Sequence, residues 1–188
     1  MNIDFFYIGI LCVVSIYFML PAYLSNISGL IFGGGTPLDF GHKTKDGHDI
    51  IGKGCTWRGL IAGTIIGTIV GGLQGIYTPT LIQLSYGIIP LITYNGLYQG
   101  LLIGFLLGLG ALLGDASGSF IKRRINIQQG EPAPILDQLD FVFGALIISA
   151  FAIRLDWQVI ITICILTLFL HLFTNMIAYL IGAKDVWY

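Results

Sequence analysis

GLIAGTIIGTIVGGLQGIYTPTLIQLSYGIIPLITYNGLYQGLLIGFLLGLGALLG, residues Gly59 to Gly114, runs without a single Asp, Glu, Lys or Arg. About 20 apolar residues cross the hydrocarbon of a bilayer, so this stretch holds two spans and the connection between them. The rest of the chain agrees. Of 188 residues 55% are hydrophobic and only 10% charged, and mean hydropathy is +0.85, against about 25% charged residues in a soluble domain. The chain is an all-α integral membrane protein. A net charge of −1 and the lack of a basic tail exclude a nucleic-acid partner. Cys12, Cys55 and Cys164 are scattered, with no CxxC pair, so no disulfide framework is expected.

Working outward, five transmembrane helices are expected at about 3–24, 59–76, 97–120, 135–153 and 157–181, forming one catalytic domain over 1–188. The first lacks the basic leader and cleavage site of a signal peptide, so it is expected to be retained. Gly59, Gly63, Gly67 and Gly71 recur at the small-xxx-small spacing that lets helices approach closely. Tyr77 to Asn95, broken by Pro79 and Pro90, reads as an interfacial or partly re-entrant connection. The third span continues as helix through Asp115 to Arg124. Only thirteen residues separate Asp140 from Arg154, so the fourth helix must include the Asp137–Asp140 turn to cross at all. Segments 25–58, 121–136 and 182–188 hold eight of the nine Lys and Arg. By the bias of basic residues toward the inside, both polar loops and the C-terminus are cytoplasmic and the N-terminus is outside.

The polar island GDASGSFIKRRINIQQGEPAPILDQLD, Gly114 to Asp140, carries the chemistry. Asp115, Ser119 and Lys122/Arg123 share one helical face, and Asp137 and Asp140 share another. Carboxylates at a membrane surface are costly unless paired or bound to a cation. If the third and fourth helices pack side by side, Asp115, Asp137 and Asp140 can meet around Mg2+, which takes few carboxylates plus phosphate and water oxygens. Lys122, Arg123 and Arg124 would then bind phosphate; the plainer alternative is that the basic run anchors the helix at headgroup level. In the first polar loop GHDIIGKG, Gly47 to Gly54, nearly spells a P-loop. Gly54 stands where Ser or Thr is needed and no strand precedes it, so that fold is excluded. Its glycines with Lys43, Lys53, Thr56 and Arg58 can still cradle a triphosphate. His171 and Asn175, four apart on the fifth span, either bond a neighbouring helix or orient a substrate phosphate. His42 and His48 have no cysteine at zinc spacing. A transporter is disfavoured because the ionisable residues gather at one surface and no internal repeat is visible.

Gly114-Asp115-x-x-x-Ser119-x-x-Lys122-Arg123, followed by Pro132 and by Asp137-x-x-Asp140, resembles the signature of the membrane CTP-dependent cytidylyltransferases. The PLDFG segment (Pro37 to Gly41), GCTWRG (Gly54 to Gly59) and HxxxNxxAY (His171 to Tyr179) are similar to the CDP-archaeol synthase branch, so the likeness touches nearly the whole chain. The resemblance implies transfer of CMP from CTP to the phosphate of an unsaturated archaeal ether lipid, with Mg2+ as cofactor, in the cell membrane, with the site facing the cytoplasm. It implies catalytic Asp115, Asp137, Asp140, Lys122 and Arg123, the three acids also serving as metal ligands. Nucleotide contacts are expected at Asp39, Gly41, Lys53, Thr56, Arg58 and Ser119, and lipid-phosphate contacts at Arg124, His171 and Asn175. A homo-oligomer is compatible with this reading. The alternative from the same class is an acyl-lipid phosphatidate cytidylyltransferase. Gln138 stands where the related signature has Arg, GEPAP replaces its PGHGG loop, and Cys55 falls where relatives carry Lys, leaving Lys53 as the stand-in cation.

Overall fold

The computed structural model describes residues 4–45, 47–92, 96–129 and 131–180, with the side chains of 174–175 and 177–179 outside the description. Five helices follow in order: α1 (Phe5–Ile31), α2 (Trp57–Leu84), α3 (Leu97–Arg124), α4 (Leu136–Ser149) and α5 (Trp157–Leu180). The helices α1, α2 and α3 are each long and apolar enough to cross a bilayer, and Trp157–Phe173 of α5 is a shorter apolar stretch. α4 has 14 residues. At about 1.5 Å per residue it is shorter than the hydrocarbon, so the Asp137 turn is part of whatever crossing it makes.

Starts and stops follow local chemistry. The Asp4 carboxylate accepts the Phe6 and Tyr7 backbone N–H groups at 3.0 and 3.2 Å and opens α1. The Thr56 hydroxyl accepts the Gly59 N–H at 3.1 Å and opens α2. Lys122, Arg123 and Arg124 fill the last turn of α3, where cations suit the helix dipole.

α2 departs from the sequence expectation. The helix does not stop near Ile76 but runs through Pro79 to Leu84. Proline removes one backbone donor, the one that would bond the Gly75 carbonyl, and such a loss is tolerated in a membrane helix packed on its neighbours. Beside it the Thr78 hydroxyl bonds the Gln74 carbonyl at 2.6 Å and the Tyr17 hydroxyl of α1 at 2.8 Å, tying this part of α2 to α1. Of the expected 77–95 connection, only the part after Leu84 is non-helical, and 93–95 lie outside the described residues.

α3 is the hub. One face meets α2 through glycine on both sides: a methyl added to Gly71 would lie 2.7 Å from the Gly104 backbone nitrogen, and one added to Gly75 3.1 Å from the Gly100 Cα. A second glycine row meets α4: a methyl on Gly110 would lie 2.6 Å from the Gly144 carbonyl oxygen, and on Gly114 2.9 Å from the Phe141 Cα. The core gathers Phe18 and Met19 of α1, Ile103 and Leu107 of α3, Val142 of α4 and Ile163 of α5, all fully buried.

These contacts separate glycines that matter from those that do not. Gly71→Ala is expected to lower the thermal midpoint of the detergent-solubilised protein, an overpacking cost of about 1–3 kcal/mol. Gly9→Ala, where an added methyl meets nothing within 4 Å, is expected to leave the midpoint unchanged or raise it. Equal midpoints for both variants would contradict the tight α2–α3 contact.

Candidate active site

Two loops and two helix ends build the site. The first polar segment is folded rather than loose. Residues Pro37 and Thr56 pair as an antiparallel bridge, as do Lys43 and Asp49. Leu38 N–H donates to the Cys55 carbonyl at 2.9 Å and Trp57 N–H to the Thr36 carbonyl at 3.1 Å. At its centre is Asp39, buried, whose carboxylate accepts the N–H groups of Gly41 at 2.9 Å, Ile51 at 2.8 Å and Gly52 at 2.9 Å. Gly41 and Gly52 take φ of +74° and +101°, conformations that glycine adopts freely. Burial works against charge on Asp39, but the backbone N–H donors outweigh it and hold the carboxyl below its ordinary value.

This fold brings Gly54, Cys55 and Thr56 down onto α3. The Cys55 thiol is buried, within 3.6 Å of Asp115 Oδ2 and 3.6 Å of Ser119 Oγ, and can donate to either. Burial first and the Asp115 charge second push its pKa up to about 12, so at neutral pH it is a thiol and a donor. Asp115, Cys55, Thr56, Gly54, Gly29 and Asn26 line a cavity of about 150 Å³ between α1, α2 and α3.

α4 contributes the other acids. Asp137 accepts Lys122 Nζ at 2.5 Å and the Ala133 N–H at 2.8 Å. Asp140 is buried; its Oδ1 accepts the Phe141 N–H at 2.6 Å, and its Oδ2 has no hydrogen-bond partner. The Asp140 carboxylate lies flat on Gly118 of α3, where an added methyl would come within 2.7 Å of Asp140 Cβ and 2.8 Å of its Cγ. The charges of Asp115, Asp137 and Lys122 all reach Asp140. Among the described residues no three His, Cys, Asp or Glu side chains converge closely enough to hold a metal by themselves. The arrangement is two acids, Asp115 and Asp140, flanked by an Asp137–Lys122 pair.

The remaining sequence candidates sit as follows. Ser119 faces Cys55 one helical turn below Asp115. Lys53 and Arg58 are exposed. Arg124 is exposed and lies over the Phe120 ring at 4.5 Å. Arg123 is buried, with Nη1 donating to the Ile127 carbonyl at 2.6 Å. His171 lies on α5, and the Asn175 side chain is outside the described residues. Sequence reasoning missed Gly118 as the seat of Asp140, although Gly110, Gly114 and Gly118 recur every four residues on one face. It also missed Asp39 as the hub of its own loop, for which the Asp-x-Gly turn was the available signal.

An all-helical, multi-pass membrane protein with acids from adjoining helices beside a folded polar loop belongs among the membrane-embedded enzymes. Residues 7–188 match the CarS-like family, CDP-archaeol synthase, and the chain belongs to that family. CDP-archaeol synthase of Methanocaldococcus jannaschii is 48% identical over 174 residues, 93% of this chain and 96% of the relative. That of Methanothermobacter thermautotrophicus is 53% identical over 173 residues, 92% of each. A solved structure described as "Structural insight into an intramembrane enzyme for archaeal membrane lipids biosynthesis" is 35% identical, covers 86% of this chain and 92% of that one, and superposes with a TM-score of 0.71.

Because the folded-state pKa of Asp39 is depressed, its stabilisation is present above the unfolded-state value and is lost as pH falls through the folded-state value. Asp39→Asn is therefore expected to lower the thermal midpoint at pH 7, with the gap to wild type closing below about pH 4. A gap that stays constant down to pH 2 would contradict the assigned role.

Proposed function

We propose that the protein transfers CMP from CTP to the phosphate of 2,3-bis-O-geranylgeranyl-sn-glycerol 1-phosphate, forming the CDP-lipid and pyrophosphate. The observation that supports this reading is that Asp115 of α3 and Asp140 of α4 lie near enough for their charges and that of Lys122 to interact, within a chain of the CDP-archaeol synthase family. A lipid phosphate oxygen attacks the α-phosphorus of CTP, the bond from that phosphorus to the bridging oxygen breaks, and pyrophosphate leaves with the electron pair. The attacking oxygen is already ionised at neutral pH, so no strong general base is required.

The barrier is repulsion between two anions, and positioned cations lower it. The donor set fits Mg2+: Asp140 Oδ2 is a buried carboxylate oxygen without a partner, Asp115 supplies a second hard oxygen, and Mg2+ completes its shell with phosphate and water. Asp137, already engaged by Lys122, orients that amine. Held by Asp115 and Asp140, a Mg2+ ion would supply positive charge against the α-phosphate. Lys122 and the exposed Lys53 and Arg58 offer cations to the triphosphate, and Thr56 with Gly54 presents the folded loop to the nucleotide. Arg124, at the end of α3, meets the lipid headgroup. The protein sits in the cell membrane with the N-terminus outside and the Asp39 loop in the cytoplasm, where CTP is available, while the lipid tails stay in the bilayer.

Purified protein incubated with labelled CTP, Mg2+ and either the geranylgeranyl ether phosphate or dioleoyl phosphatidic acid is expected to label the ether lipid preferentially. Asp115→Asn and Asp140→Asn are each expected to lower turnover by about a hundredfold to a thousandfold while the protein still inserts. Near-normal transfer by both variants would sink the metal assignment. Preferential labelling of the acyl lipid would transfer the reading to a phosphatidate enzyme.

A further inference from the structure

Three consecutive cations end α3, and because a helix advances about 100° per residue their side chains leave it in different directions. Lys122 turns to Asp137 at 2.5 Å. Arg124 turns outward over Phe120. Arg123 turns the third way and is the buried one, 9% exposed. We infer that Arg123 is a positioning residue that latches the Asp39 loop to the end of α3, keeping Gly54, Cys55 and Thr56 over Asp115, rather than a ligand of a substrate phosphate. The inference rests on the Asp115 end of the bundle being where CTP reacts.

Arg123 Nη1 donates to the Ile127 carbonyl at 2.6 Å, which ties the guanidinium to the turn that ends the helix. The guanidinium is the side chain that Gly52 faces: a methyl placed on Gly52 would sit 3.6 Å from Nε and 3.7 Å from Nη2, with Gln129 Oε1 also at 3.6 Å. Gly52 in turn gives its N–H to Asp39 at 2.9 Å, the carboxylate that also gathers Gly41 and Ile51. The end of α3 thus meets the loop where Arg123 faces Gly52, and Gly52 is bonded to Asp39 a few residues before the Gly54–Thr56 strap.

One observation separates this role from phosphate binding: Arg123 does not line the cavity at Asp115. A planar guanidinium suits lying along a backbone segment while donating sideways; a lysine ammonium has no such plane. The conservative substitution is therefore informative, because Arg123→Lys keeps the charge and loses the fork.

The test is amide hydrogen exchange of residues 39–54 in nucleotide-free protein, with steady-state kinetics on the same variants. Arg123→Gln and Arg123→Lys are both expected to speed exchange in 39–54 at least about tenfold. Exchange in α1 and α2 should stay as in wild type, which excludes general destabilisation. Both variants should raise KM for CTP about tenfold, with a smaller change in kcat, as expected when binding geometry rather than the chemical step is disturbed. Unchanged loop exchange in Arg123→Lys, or wild-type kinetics in Arg123→Lys alongside a collapse of kcat in Arg123→Gln, would overturn the latch and restore a charge-only phosphate role. Should Arg123→Gln fail to fold, Arg123→Lys alone decides. Should wild-type protein make no CDP-lipid, the proposed reaction falls, and the loop exchange still judges the latch.

Discussion

Backbone laid directly on backbone along both faces of α3 is the constraint on which the rest of the structure depends. Inside a bilayer the tails of lipids are as apolar as leucine, so helices gain little by hiding apolar side chains from them. Close van der Waals approach has to supply the attraction. α3 achieves it twice, with Gly100 and Gly104 toward α2 and with Gly110 and Gly114 toward α4. The second seam continues one turn further to Gly118, and there the facing atoms are no longer backbone but the carboxylate of Asp140. The same spacing that glues the helices thus sets how near an acid of α4 stands to Asp115 of α3.

Electrostatics explains why this end of the bundle is primed for a cation. Three carboxylates share the region with Lys122, which pairs with Asp137. Asp140 keeps one buried oxygen unpartnered, and a charge so placed is expensive in a low-dielectric setting. The Cys55 thiol faces Asp115 as a weak donor at 3.6 Å. A bound divalent ion would satisfy what the protein leaves unsatisfied. The folded loop around Asp39 then closes the site from the polar side, and the three cations ending α3 divide between acid pair, loop and surface.

Much of this was legible in the sequence. The charge-free run from Gly59 to Gly114 fixed the class, and the i, i+4 spacing of Asp115 and Ser119 put them on one face of a helix. The argument that α4 must include Asp137 and Asp140 followed from counting residues to Arg154. The family expected from those motifs is the one the relatives define. What escaped the sequence is partner choice. Spacing says which residues share a face but not what that face meets, so Gly118 beneath Asp140 and Arg123 against Gly52 were invisible. Pro79 misled because proline ends helices in water, whereas here the helix runs through it, tied to α1 by Thr78 and Tyr17. Asp39 looked like a ligand because a loop acid beside glycines suits either a nucleotide or its own backbone N–H groups.

The claim that acids from two glycine-seamed helices share one cation is tested most directly by anomalous diffraction from crystals grown with CTP and Mn2+. The account predicts a manganese peak bonded to carboxylate oxygens of both Asp115 and Asp140. A peak bonded to neither, or one held by the Asp39 loop, would contradict it.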